Sequence, residues 1–216
     1  DYDVRFIYVR PRNDYLALKP VRDVVEKPIL DDIDLNGWDV RKALGLMLKH
    51  NAVVSEWIES PIRYRDHDPM VGRLAELGDQ FFDPHGFAKH YSNLGKRQTS
   101  RWLSGSETPT IKKYFYALRP ALAVRCLRLD PSHRPPMRLQ DLIEGCQLSA
   151  EIVEQIEELV ALKSETREAG ATRELPDLTA LVVNELDRAD EVPVKPTNGA
   201  FEDAANALFV DLLASG

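Results

Sequence analysis

Two aspartates, Asp1 and Asp3, stand one residue apart where a strand-like stretch begins. Residues 4–10 are rich in β-branched and aromatic side chains and end at Pro11, which is typical of a strand. Because side chains alternate along a strand, both carboxylates should project from the same face. Carboxylates this close stay ionised together only beside a positive charge, and a hard cation such as Mg²⁺ provides one. The alternative is a solvated terminus, since such pairs often arise by chance.

A third aspartate, Asp34, lies in another strand-like stretch at residues 32–37. Its neighbours are apolar on both sides, so its carboxylate should point to the opposite face of that strand. The following Asp39 precedes apolar positions at helical spacing and is predicted to cap that helix at its N-terminus. Asp34 is therefore the third candidate for a metal-binding carboxylate.

The sequence resembles the DNA polymerase β-type nucleotidyltransferase superfamily, and within it the bacterial RNA repair pathway DNA polymerase β family. The resemblance rests first on residues 1–11, which begin Asp-Tyr-Asp, and on residues 34–44, which begin at Asp34. Residues 51–62 and 112–122 strengthen it. It extends from Asp1 to about residue 136, and the last third of the chain adds no motif that we can match.

This resemblance implies that Asp1 and Asp3 are paired metal ligands on the first catalytic strand, with Asp34 as the third carboxylate on a neighbouring strand. In the family, a Gly-Ser turn and a short helix precede the aspartate pair and contact the nucleotide phosphates. The chain begins at Asp1 without this element. We therefore expect the chain to be a fragment or processed form, the alternative being that the segment was lost.

Charge is distributed unevenly along the 216 residues, whose net charge is −7. Residues 1–145 carry 23 Lys and Arg against 20 Asp and Glu, whereas residues 146–216 carry 5 against 15. Residues 85–140 alone hold 11 basic residues and 2 acidic ones. Such a segment suits an RNA backbone or a polyphosphate, and we expect the acidic C-terminal helices to lie away from it. The alternative is a solvated helical surface.

Two basic clusters in this segment are candidate binding sites for nucleotide or RNA phosphates. The first cluster recurs at helical spacing, so its side chains should share one polar face opposite apolar residues. It comprises Lys112, Lys113, Tyr116 and Arg119. The second comprises Lys96 and Arg97, with Arg101 beside them. For each cluster the alternative is a plain surface face.

The predicted fold is α+β, a small mixed sheet of the nucleotidyltransferase type followed by a mainly helical part. The expected strands are residues 3–10, 21–27 and 32–37. The expected helices are residues 39–50, 52–59, 70–78, 84–103, 109–128, 139–145, 149–164, 177–188 and 200–214. Pro120 should kink its helix or begin a new one. We expect residues 1–65 to form a palm-like core and residues 66–216 a helical domain.

The predicted function is transfer of a nucleoside monophosphate from an NTP to an acceptor hydroxyl, with Mg²⁺, or alternatively Mn²⁺, as cofactor. The resemblance implies an RNA 3′ end as acceptor, so NTP and RNA or tRNA are the expected partners. Two alternatives stay open. One is a nucleotidyltransferase of the toxin–antitoxin kind, acting on tRNA or protein. The other is a non-catalytic nucleotide- or RNA-binding module.

Other function classes find no support in the sequence. No apolar run approaches the roughly 20 residues of a membrane span. There is no Walker A loop, nucleophile elbow or dinucleotide-binding fingerprint. Cys126 and Cys146 lack metal-binding spacing, and we expect them to be reduced thiols in a cytoplasmic protein. The sequence does not indicate an oligomeric state.

Overall fold

A computed structural model describes residues 2–65, 68–103, 109–165, 175–196 and 199–214. Its elements, in chain order, are β1 (Tyr2–Tyr8), α1 (Arg12–Leu16), β2 (Val24–Glu26), β3 (Ile33–Asp39), α2 (Val40–Met47), α3 (Ala52–Ile58), α4 (Pro69–Gln80), α5 (Pro84–Leu103), α6 (Ile111–Leu129), α7 (Leu139–Gly145), α8 (Ala150–Glu165), α9 (Pro176–Asp187), a 3-10 turn (Ala189–Glu191) and α10 (Ala200–Ala214). A small mixed sheet is thus followed by a mainly helical part, and the predicted α+β class is confirmed.

The sheet has the strand order β1-β3-β2. β1 runs parallel to β3, in a register that pairs Tyr2 with Ile33 and Tyr8 with Asp39, while β2 runs antiparallel to β3. β2 is shorter than the expected strand at residues 21–27, because only three of its residues pair with β3. β1 and β3, which are distant in sequence, are therefore direct neighbours in the sheet.

A two-residue turn leads the chain into β3. Asp31 and Asp32 have φ angles of 51° and 62°, and the flanking Leu30 and Ile33 form an antiparallel bridge. Positive φ at both central residues is the geometry of a type I′ turn, and aspartate tolerates it better than most residues. This turn fixes where β3 begins, and hence where Asp34 lies along the strand.

One compact unit consists of the chain up to Phe82 together with the chain from Pro196 onward. Its core holds the apolar faces of α2, α3, α4 and α10. The fully or nearly fully buried members are Val40, Ala43, Leu44, Met47, Val54, Ile58, Leu74, Leu77, Ala205 and Leu208. The predicted cap of α2 is confirmed, since Asp39 Oδ1 accepts a hydrogen bond from the Arg41 backbone N–H at 2.9 Å.

A second compact unit runs from Asp83 to Lys195 and contains α5 to α9. α6 forms its centre, with Tyr114, Leu118 and Leu122 fully buried. α6 continues through Pro120 as one helix, so the alternative that a new helix begins there is wrong. Two neighbours of α6, the helices α5 and α9, pack closely against each other. A Cβ atom added to Gly95 of α5 would lie only 2.5 Å from Cδ2 of Leu186 in α9.

These two units differ from the expected division into residues 1–65 and 66–216. The reason is hydrophobic burial: the apolar side chains of α4 and α10 complete the core beneath α2 and α3. Leu74 and Leu77 come from α4, and Ala205 and Leu208 come from α10.

Among the described helices, none combines the length and the apolar character that a membrane span requires.

Gly37 of β3 gives a direct test of how closely β1 and β3 fit together. Its register partner is Phe6, and a Cβ atom at position 37 would lie 2.2 Å from Phe6 Cζ. Gly37→Ala should therefore displace the Phe6 ring and lower the free energy of unfolding by about 1–3 kcal/mol. Urea denaturation followed by circular dichroism measures this change.

Gly45→Ala is the matched control, because Gly45 lies inside α2 and a Cβ atom there would meet nothing within 4 Å beyond the adjoining residues and backbone of its own helix. This substitution should stabilise the protein by about 0.5–1 kcal/mol, as alanine is the better helix former. Equal stability of the two variants would contradict the packing of Phe6 across Gly37.

Candidate active site

Asp3 and Asp34 lie directly opposite each other on the adjacent parallel strands β1 and β3. In-register neighbours in a sheet project from the same face, so the two carboxylates share a face. Arg5 and Asn36 form the next register pair on that face. The structure therefore brings two of the three predicted carboxylates together. Asp1, the remaining one, lies outside the described residues.

Arg5 bridges the two carboxylates. One guanidinium nitrogen, Nη2, donates to Asp3 Oδ1 at 2.6 Å and to Asp34 Oδ2 at 2.8 Å. The other, Nη1, donates to the Asp34 backbone carbonyl at 2.8 Å. The Arg5 side chain is 26% exposed, against 72% for Asp3 and 37% for Asp34. A partly buried positive charge thus holds together two carboxylates that would otherwise repel each other.

The oxygen atoms around this bridge are hard ligands of the kind that Mg²⁺ prefers. Asn36 adds an amide oxygen, Oδ1, which is buried and accepts no hydrogen bond from the described residues. Its Nδ2 donates to Glu26 Oε1 of β2 at 3.5 Å. The donor chemistry therefore fits a hard divalent cation. Within the described ranges, no three His, Cys, Asp or Glu side chains cluster closely enough to hold a metal.

Two tryptophans flank the bridge. Arg5 Cζ lies 6.0 Å from the centre of the Trp57 ring, a distance compatible with a cation–π contact. Trp57 stacks on Trp38, with ring centroids 3.7 Å apart and planes inclined by 21°. Trp38 lies on the same face of β3 as Asp34, four residues further along the strand. The stack gives the site an aromatic side.

Arg5, Asn36 and Trp57 were not among the site residues predicted from the sequence. Arg5 could have been predicted from the sequence, because a residue two positions after Asp3 on a strand projects from the same face of the sheet as Asp3. Predicting Asn36 would have required knowledge of the strand register, and predicting Trp57 would have required knowledge of how α3 packs against the sheet. Neither of those is encoded in local sequence pattern.

A separate pocket of about 490 Å³ lies beyond the other end of β1 and β3. It is lined by Arg10, Asp14, Tyr15, Pro20, Val21, Arg22, Asp23, Asp39, Arg41 and Lys42. The Tyr15 hydroxyl donates to Asp39 Oδ2 at 3.0 Å, and burial together with this bond raises the pKa of Tyr15 to about 12. Lys42 pairs with Asp23 at 3.3 Å. The charges of this pocket largely compensate one another.

In the second unit, the first basic cluster lies on the outer side of α6. Lys112 and Tyr116 are exposed, and Lys112 Nζ lies 5.6 Å from the centre of the Tyr116 ring. Lys113 and Arg119 are half-buried, and Arg119 Nη2 donates to the Met137 carbonyl at 2.9 Å. The predicted apolar face is buried opposite them. The phosphate-binding role of this cluster stays a prediction.

The second basic cluster is partly neutralised. Lys96 Nζ pairs with Asp187 Oδ1 of α9 at 2.8 Å, whereas Arg97 is exposed. Lys89, nearby on α5, pairs with Asp190 at 2.8 Å. Two acidic residues from the C-terminal part of this unit therefore lie against α5.

The expectation that the acidic C-terminal helices lie away from the basic segment is wrong for α9 and the turn after it. Glu185 of α9 is only 1% exposed and accepts from Arg125 at 2.7 Å and from Arg128 at 2.9 Å. A buried carboxylate is tolerated only when it is paired, so α9 packs where the arginines of α6 lie. The net charge of residues 85–140 thus overstates the positive surface.

Comparison with known proteins places the chain in a family. The RNA repair pathway DNA polymerase beta family matches residues 1–211. A curated relative, the uncharacterized protein YcgL of Bacillus subtilis (strain 168), is 34% identical over 191 residues, which cover 88% of this chain and 73% of the relative. No solved structure matches the chain. The chain belongs to the RNA repair pathway DNA polymerase beta family.

Proposed function

We propose that the protein transfers a nucleoside monophosphate from an NTP to the 3′ hydroxyl of RNA and releases pyrophosphate. Family membership indicates a polymerase beta-type nucleotidyltransferase with a role in RNA repair. The observation that carries the proposal is the placement of Asp3 beside Asp34, on paired strands and joined through Arg5. Neighbouring carboxylates of this kind are what two-metal phosphoryl transfer requires.

Asp3 and Asp34 would hold Mg²⁺, or Mn²⁺ in its place, together with Asp1, whose role rests on the family resemblance. When bound, Mg²⁺ supplies the positive charge that offsets the charge developing on the attacking and leaving oxygens. Each described carboxylate has one oxygen bonded to Arg5 and a second oxygen for a further ligand. Arg5 can therefore position both groups without occupying all their oxygens.

The chain's own residues would act at three points. Asp34 would accept the proton of the acceptor hydroxyl, or would help to hold the ion that lowers the pKa of that hydroxyl. Arg5 would keep the two carboxylates at short distance by offsetting their repulsion. Lys112, Lys113, Tyr116 and Arg119, with Lys96 and Arg97, would contact the phosphates of the nucleotide or RNA.

Replacing either described carboxylate should abolish transfer. Asp3→Asn or Asp34→Asn removes one negative ligand while keeping the size of the side chain, so the rate should fall by about a thousandfold or more. The measurement is incorporation of an α-labelled NTP into an RNA with a free 3′ hydroxyl, in the presence of Mg²⁺. Circular dichroism checks that each variant remains folded.

Asp31→Asn is the matched control for these two substitutions. Asp31 is exposed in the turn three residues before Asp34, and asparagine tolerates its positive φ. This variant should keep full activity. Undiminished transfer by Asp34→Asn would contradict the proposal, and label found on protein rather than RNA would favour a toxin–antitoxin-type activity.

Arg5→Gln tests the link between the arginine bridge and cation binding. Without Mg²⁺, loss of the bridge leaves two like charges opposite each other, which should cost about 0.5–1 kcal/mol at this exposure. Added Mg²⁺ should restore that loss, so the Mg²⁺-induced rise in Tm should be larger for Arg5→Gln than for the wild type.

Arg12→Gln provides the control, since Arg12 is an exposed arginine of α1. Its Tm should respond to Mg²⁺ as the wild type does. If Mg²⁺ raises the Tm of Arg5→Gln only as much as it raises the Tm of Arg12→Gln, Arg5 has no influence on cation binding.

The basic cluster on α6 is tested by the salt dependence of RNA binding. Lys112→Ala combined with Lys113→Ala should weaken binding and reduce the slope of log K against log salt by about 0.7 for each RNA phosphate that the variant no longer neutralises. Fluorescence anisotropy with a labelled single-stranded RNA measures this slope between low and moderate salt.

The matched control is Lys89→Ala, which removes the same kind of charge from α5. Lys89 already pairs with Asp190 at 2.8 Å, so its removal should change the salt slope little. Equal effects of the two changes would indicate a general charge effect rather than direct phosphate binding by α6.

A further inference from the structure

The two thiols of the chain meet in the second compact unit. Cys126 lies near the end of α6, and Cys146 follows α7 directly. Their Sγ atoms are 2.9 Å apart although 20 positions separate the residues in sequence. This separation is inside van der Waals contact, so no other atom stands between the two sulfurs.

The two thiols differ in access to solvent. Cys146 is fully buried, and its Sγ lies 3.3 Å from the Leu122 carbonyl oxygen. Cys126 is half-buried, with part of its surface exposed. Cys126 is therefore the more accessible of the two to a reagent dissolved in water, and the sulfur that lies beside Cys146 is that of Cys126.

The surroundings also distinguish the two sulfurs chemically. The hydrogen bond with Cys146 and the charge of Arg125 lower the pKa of the Cys126 thiol. The same hydrogen bond and burial raise the pKa of the Cys146 thiol. Arg125 is held in place, because its Nε donates to the Cys146 carbonyl at 2.6 Å and its Nη1 to Glu185 at 2.7 Å. Cys126 is therefore the stronger nucleophile of the pair.

We propose that Cys126 and Cys146 form a reversible redox modification site that takes a low-molecular-mass disulfide as its oxidant. The Cys126 thiolate attacks one sulfur of the small disulfide, whose S–S bond breaks and releases one thiolate. Cys146 then gives up its proton, attacks Cys126 Sγ and releases the second thiolate. The protein loses two electrons and two protons, and the small disulfide becomes two thiols.

The bond would tie the end of α6 to the end of α7 and close a loop over residues 127–145. This loop contains Met137, whose carbonyl accepts the hydrogen bond from Arg119. Oxidation would thus restrain the segment against which Arg119 of the basic cluster rests. The thiol chemistry itself does not depend on the proposed transfer activity.

Mass spectrometry of the full chain tests this site. The protein is incubated with excess oxidised glutathione, and the remaining thiols are then blocked with iodoacetamide. We expect an intact mass about 2 Da below that of the reduced protein, with no blocking group and no glutathione attached. Proteolysis should yield one cross-linked pair of peptides containing Cys126 and Cys146, and dithiothreitol should reverse the change.

Two variants test the order of attack. Cys146→Ala should accumulate a glutathione adduct on Cys126, because no second thiol resolves it, whereas folded Cys126→Ala should react at least about tenfold more slowly at Cys146. The wild-type mass measurement decides the question even if a variant fails to fold. Stable glutathione adducts on the wild type, cross-linking between chains, or no reaction at all would each overturn the proposal.

Discussion

The in-register parallel pairing of β1 with β3 is the constraint on which the candidate site depends. It places Asp3 opposite Asp34 and Arg5 opposite Asn36, so that residues about 30 positions apart form one polar cluster. A slip of one residue would turn one carboxylate to the other face of the sheet and separate the pair. Phe6, whose ring lies over Gly37, and the turn at Asp31 and Asp32 both oppose such a slip. The packing of Phe6 on one face of the strands therefore helps to keep Asp3 and Asp34 opposite each other on the other face.

Arg5 stabilises this arrangement electrostatically. Parallel strands set the two carboxylates close together, and a positive charge between them offsets their mutual repulsion. The guanidinium supplies the charge from within the sheet and bonds to one oxygen of each carboxylate. Because its Nη1 also bonds to the Asp34 backbone, Arg5 is fixed by β3 as well as by β1. The two carboxylates are thus held side by side by Arg5, and the proposed cation would add a second positive charge to the same pair.

Much of the fold could be predicted from the sequence, because its signals are local. Helical periodicity located α5, α7 and α10 to the residue, and the cap at Asp39 follows from its position before an apolar stripe. The return of α10 to the core of the first unit could not be predicted, since nothing local to residues 200–214 specifies its partner. The pairing of Glu185 with Arg125 and Arg128 was missed for the same reason. Net charge by segment describes composition, whereas ion pairing depends on which helices pack together.

Binding of Mn²⁺ in the absence of nucleotide and RNA tests the central claim most directly. Electron paramagnetic resonance counts the free ion, so it reports binding without requiring transfer activity. We expect the wild type to bind Mn²⁺, Mg²⁺ to compete for the same site, and Asp3→Asn and Asp34→Asn each to weaken binding at least about tenfold. Asp31→Asn should bind as the wild type does. Equal affinity of all four proteins would show that Asp3 and Asp34 do not form a cation site.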